Sequence, residues 1–138
     1  MIEKEIIHSR VSRIRKLLLR LKKIVEMSKI DFEADYDSQL ISERALQIIA
    51  QAILDIGNHL IAHHGWGKPE SYREVITILV KRNIVNKKYQ SELEGLAGLR
   101  NILVHDYLTI KPNIIFDDIR NGIEAIEHFL EVMINRYG

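Results

Sequence analysis

Apolar residues recur at alternating four- and three-residue steps along most of this chain, and that period commits it to helix. Ile7, Val11, Ile14, Leu18, Leu21 and Val25 draw one stripe along a first helix. A second helix is expected from Ser38 to His64, where Ala45, Leu46, Ile49, Ala52, Ile53, Ile56 and Leu60 make a wide apolar face suited to a central position. Between them Asp31 to Asp37 reads as a polar connection, with Asp37 or Ser38 as the cap of the second helix. Gly57 costs helix propensity but permits close packing. Gly65-Trp66-Gly67-Lys68-Pro69 ends that helix.

A shorter helix follows over Ser71 to Lys81, and another begins near Lys87 or Gln90 and reaches His105. In the latter, Leu93, Leu96, Leu99 and Leu103 supply core contacts, and Gly95 and Gly98 are small positions suited to a closely packed neighbour. Lys111-Pro112-Asn113 interrupts, and a last helix runs from Ile114 to Arg136. No alternating strand pattern, internal repeat or linker is visible. The expected architecture is a single all-α domain spanning residues 1–138, an antiparallel bundle of about five helices.

Composition narrows the chemistry. The absence of cysteine excludes disulfides, thiolate-ligated zinc and thiol nucleophiles. No uninterrupted apolar run has the length of about 20 residues that a membrane span needs, and Met1-Ile2-Glu3-Lys4-Glu5 shows no signal-peptide pattern. The expectation is a cytoplasmic protein without a membrane partner. A net charge of +1 conceals an asymmetry: Arg10, Arg13, Arg15, Lys16, Arg20, Lys22 and Lys23 follow one another with no acid among them. Such a helix either attracts RNA phosphates or presents a solvated face to acids elsewhere in the fold. His59 and His63 have the i, i+4 spacing of a metal pair, but no Cys or Glu-x-x-His pattern accompanies them, so surface roles are favoured and neither metal nor cofactor is expected. Trp66 either stacks a base or caps the bundle, and capping is favoured.

The chemistry-bearing segment is Arg100-Asn101-Ile102-Leu103-Val104-His105-Asp106-Tyr107. Arginine offers a permanent charge and a planar fork of donors suited to phosphate. Histidine moves protons near neutral pH. By helical period Arg100 and Tyr107 share a face, whereas Arg100 and His105 lie about 140° apart. Three routes bring the latter two to one substrate: a distorted helix end, a long reach by arginine, or a second subunit completing the site.

This segment resembles the active motif of the HepT-like toxins of the HEPN superfamily, in which Arg and a polar residue precede His by a short spacer and Tyr follows two positions later. Arg44-Ala45-Leu46-Gln47, Asp55 through Asn58-His59, Gly67-Lys68-Pro69 with Ser71-Tyr72, and Gly98-Leu99-Arg100-Asn101 are also similar to that family, in order, from about residue 40 onward. The resemblance implies a HEPN-like fold and a metal-independent endoribonuclease acting on RNA, the toxin of a type VII-like toxin–antitoxin pair. It implies Arg100 and His105 as catalytic residues, with Asn101, Asp55 and His59 in support. It further implies a homodimer with facing motifs, and inactivation by AMP transfer to Tyr107 from an MntA-like nucleotidyltransferase. The competing function is a non-catalytic HEPN module that binds and assists such a nucleotidyltransferase.

Overall fold

A computed structural model describes residues 3–105 and 110–138. Six α-helices are described: α1 (Lys4–Ile24), α2 (Lys29–Ala34), α3 (Tyr36–His64), α4 (Tyr72–Lys81), α5 (Gln90–His105) and α6 (Pro112–Tyr137), with a turn of 3-10 helix, Lys87–Tyr89, leading into α5. The fold is all-α, with one helix more than the apolar periodicity predicts.

The additional helix is α2, in the segment read as a connection. Its six residues are too few to show a period, yet Ser28 caps it by accepting the Asp31 N–H at 3.1 Å. What holds it is one side chain. Phe32 is fully buried, its ring centroid 5.1 Å from that of Phe116 in α6. Because α3 starts at Tyr36, its cap is Asp35, whose carboxylate accepts the Ser38 N–H at 3.3 Å, rather than Asp37 or Ser38.

α3 is the central element and touches every other α-helix. It is apolar and long enough to cross a membrane by composition alone, but here Leu46, Ile49, Ile53, Ile56 and Leu60 are buried inside the bundle. It stops at Gly65, whose φ of 66° suits a residue without Cβ. α1 packs on α3 and α6 through the expected stripe, except that Ile24 replaces Val25 as its last buried residue because the helix ends there. His8 Nε2 lies 3.0 Å from the Tyr137 carbonyl, tying α1 to the end of α6. Trp66 caps rather than projects, stacked on His64 at 4.3 Å with the Arg82 guanidinium 5.5 Å from its ring.

Gly57 marks the close approach of α3 and α4. A Cβ placed there would lie 2.5 Å from Val75 Cγ1 and 3.3 Å from Leu79 Cδ1. Both neighbours are buried and valine is stiff at χ1, so α4 itself must move. Gly57→Ala is therefore expected to destabilise by about 1–3 kcal/mol from overpacking, against a helix-propensity gain of about 1 kcal/mol. Urea unfolding measures the sum, and an increase in stability would show that α4 yields without cost. Gly95 and Gly98 do not have the role expected of them: among the described residues nothing beyond its own helix turn lies within 4 Å of a Cβ at Gly95, and the nearest such atom at Gly98 is Arg73 Nη2 at 3.6 Å. The small residue of α5–α6 contact is Gly122, 3.6 Å by the same measure from Leu96.

Candidate active site

α3 carries a polar line along a mostly apolar helix: Arg44, Gln47, Gln51 and Asp55, spaced by three and then four residues. Those steps put the four side chains on one face. α5 packs on both α3 and α4 and brings Arg100 to that line. Arg100 Nε donates to Gln51 Oε1 at 2.9 Å, and Nη1 donates to Asn101 Oδ1 at 3.2 Å. The guanidinium carbon lies 4.8 Å from the Tyr72 ring centroid on α4, a cation–π distance. Two hydrogen bonds and a ring thus fix the plane of the fork.

The network continues away from Arg100. Gln51 Nε2 donates to Asp55 Oδ1 at 2.9 Å, so the amide presents its oxygen to the arginine and its nitrogen to the carboxylate. Asp55 Oδ2 is 3.6 Å from Arg10 Nε on α1. With side chains 40% and 37% exposed, that ion pair adds little stability; it sets geometry. Arg10, Asp55, Gln51 and Arg100 form one polar chain across α1, α3 and α5 along a cleft of about 470 Å³.

His105 is exposed at the last position of α5. The helix is regular through it, so α5 is not distorted between Arg100 and His105. The ideal period separates them by about 140° and about 7.5 Å along the axis. Gln51 and Tyr72 hold the arginine fork toward α3 and α4, not around the helix toward His105. Neither a distorted helix end nor a long arginine reach toward His105 is therefore seen among the described residues.

Asp55 lies in the cleft. His59, one turn along α3, turns elsewhere: its Nε2 accepts the Glu3 backbone N–H at 3.0 Å, while both Asp55 oxygens serve Gln51 and Arg10. Tyr107 lies outside the described residues. Sequence reasoning missed Gln51 and Tyr72, which position Arg100. The polar line on α3 could have identified Gln51, whereas Tyr72 stands out only within the family-like Ser71-Tyr72 segment and its role depends on the docking of α4 against α5.

The family model for "Ribonuclease HepT-like" proteins matches residues 14–133. The tRNA nuclease HepT of Aphanizomenon flos-aquae is 35% identical over 136 residues, covering 99% of this chain and 92% of that protein. The mRNA nuclease HepT of Shewanella oneidensis is 28% identical over 129 residues, covering 94% and 96%. Among solved structures, the tri-AMPylated Shewanella oneidensis HEPN toxin in complex with MNT antitoxin superposes with a TM-score of 0.84 at 27% identity, covering 95% of this chain and 98% of the other.

Proposed function

The chain belongs to the HepT-like ribonuclease family, and from that premise we propose that it is a metal-independent endoribonuclease, the toxin of a toxin–antitoxin pair. The observation that carries this reading is the Arg100 fork, held in plane by Gln51, Asn101 and Tyr72 at a cleft rich in arginine. A planar, immobilised guanidinium is suited to an anionic centre whose charge grows during reaction.

RNA carries its own nucleophile. A base removes the 2′-hydroxyl proton, the 2′-oxygen attacks phosphorus, and the 5′-oxygen leaves with a proton from an acid, giving a 2′,3′-cyclic phosphate. Arg100 stabilises the phosphorane. His105 takes one of the two proton-transfer roles. A homodimer in which one subunit's His105 approaches the other's Arg100 meets the angular requirement that a single regular α5 leaves open.

Control is assigned to Tyr107. The related Shewanella toxin is AMPylated and bound by a nucleotidyltransferase-type antitoxin. In this chain Tyr107 follows His105 by two residues, and an AMP group there would add bulk and a negative phosphate that competes with an RNA phosphate. Incubation with the cognate nucleotidyltransferase, ATP and magnesium is expected to add one or more AMP units to Tyr107 and suppress RNA cleavage. Tyr107→Phe keeps the ring, loses the acceptor oxygen and is expected to escape both effects. Peptide mass spectrometry decides it: AMP confined to another residue, or equal labelling of Tyr107→Phe, removes Tyr107 from this role while leaving the ribonuclease reading intact.

A further inference from the structure

The basic run of α1 divides into two faces. Lys22 pairs with Glu127 of α6 at 2.9 Å, a solvated ion pair between packed helices. Arg10 and Arg13 turn the other way, into the cleft that Arg44 and Arg100 also line. Among the described residues Asp55 is the one acid in that lining, and its carboxylate is already engaged by Gln51 and Arg10. Arg13 and Arg44 have no acidic partner within ion-pair distance among the described residues. Two like charges facing one concave space raise the energy of the empty site and favour an anion in it.

We propose that Arg13 and Arg44 form a second phosphate site for the RNA strand, seating a backbone phosphate that flanks the one held at Arg100. The proposal rests on the ribonuclease reading and adds to it a set of binding residues outside the Arg–His–Tyr motif. Three observations favour a strand over a free nucleotide. The cleft, at about 470 Å³, already contains Arg100. The positive face continues beyond it, because Lys16 and Arg20 follow Arg13 at steps of three and four residues on α1 and are exposed. Among the described residues no aromatic side chain lines the cleft, so that lining offers no ring on which a base stacks. Contacts are to the backbone, and binding at this site is independent of base identity.

The test uses the full chain carrying His105→Ala, so that RNA is bound and not cut, with or without Arg13→Ala and Arg44→Ala together. Fluorescence anisotropy with a short labelled single-stranded RNA is expected to show affinity lower by about 10-fold or more in moderate salt. The slope of log K against log salt should flatten by about 1.4, two charges at about 0.7 each. Removing mutually repelling, unpaired charges should leave the melting temperature unchanged or higher, which separates binding from a structural role. In the enzyme with His105 intact, KM for a longer RNA should rise by a larger factor than kcat falls. Unchanged affinity and salt slope would overturn the proposal while leaving the ribonuclease reading in place. Conversion of a dimer to a monomer by the double substitution would also overturn it, marking the cleft as a seam between copies. Arginine-dependent binding by a wild-type protein that cuts no RNA would sink the ribonuclease reading alone.

Discussion

His105→Ala is expected to lower RNA cleavage by about 10²–10⁴-fold, the usual contribution of a positioned acid–base group. Arg100→Ala is expected to cost about 10²–10³-fold through lost charge stabilisation. Arg100→Lys separates charge from geometry. Lysine keeps the charge but cannot reproduce the donation from Nε to Gln51 or present a flat face to Tyr72. Its kcat should therefore fall nearly as far as that of the alanine variant, and near-normal activity would show that charge alone matters. Mixing the two inactive variants, Arg100→Ala and His105→Ala, tests the shared site. If Arg100 of one subunit works with His105 of the other, each mixed dimer has one intact pair and cleavage returns. If it does not return after subunit exchange, each chain carries its own complete site. Cleavage should persist in EDTA; loss reversed by magnesium would contradict the metal-independent mechanism.

Phe32→Ala is expected to destabilise the fold by about 3–5 kcal/mol, the range for truncating a buried aromatic ring. The side chain is 0% exposed and packs on Phe116. α2 has six residues, too few to persist without docking. A second link between α2 and α6 is the Lys29–Asp117 ion pair at 2.8 Å, with side chains 42% and 49% exposed. Such pairs contribute about 0.2–1 kcal/mol, so the ring decides whether α2 stays in place. Phe32→Leu should retain most of the stability. Denaturant unfolding checks both variants, and a loss below about 1 kcal/mol for Phe32→Ala would mean that α2 repacks around the gap.

The same phenylalanine shows where sequence reasoning ends. Periodicity located the long helices because each buries a stripe over several turns, and for α1 the predicted and observed residues coincide until Ile24. α2 is stabilised by a contact with Phe116, distant in sequence, and a single phenylalanine among acids carries no period. The site divides similarly. Arg100, Asn101 and His105 lie in one contiguous segment, which made the motif visible. Gln51 and Asp55 were open to the spacing argument. The Tyr72 ring and the cleft-facing direction of Arg10 and Arg13 depend on how separate helices dock, and the α1 sequence alone does not distinguish its two basic faces. His59 has the right spacing to pair with Asp55, but the Glu3 backbone N–H takes its nitrogen instead.

The packing of α1 between α3 and α6 also bears on synthesis. α1 leaves the ribosome first and α6 last of the described helices. Until α6 emerges, the apolar stripe of α1 lacks one of its two main packing partners, and the tie between His8 and the Tyr137 carbonyl cannot form. Arg10 and Arg13, carried on α1, then stand on a loosely held helix, and the cleft lacks a firm wall. On the proposed ribonuclease reading, a chain still lacking α6 has an unfinished cleft even after its Arg–His segment has been made.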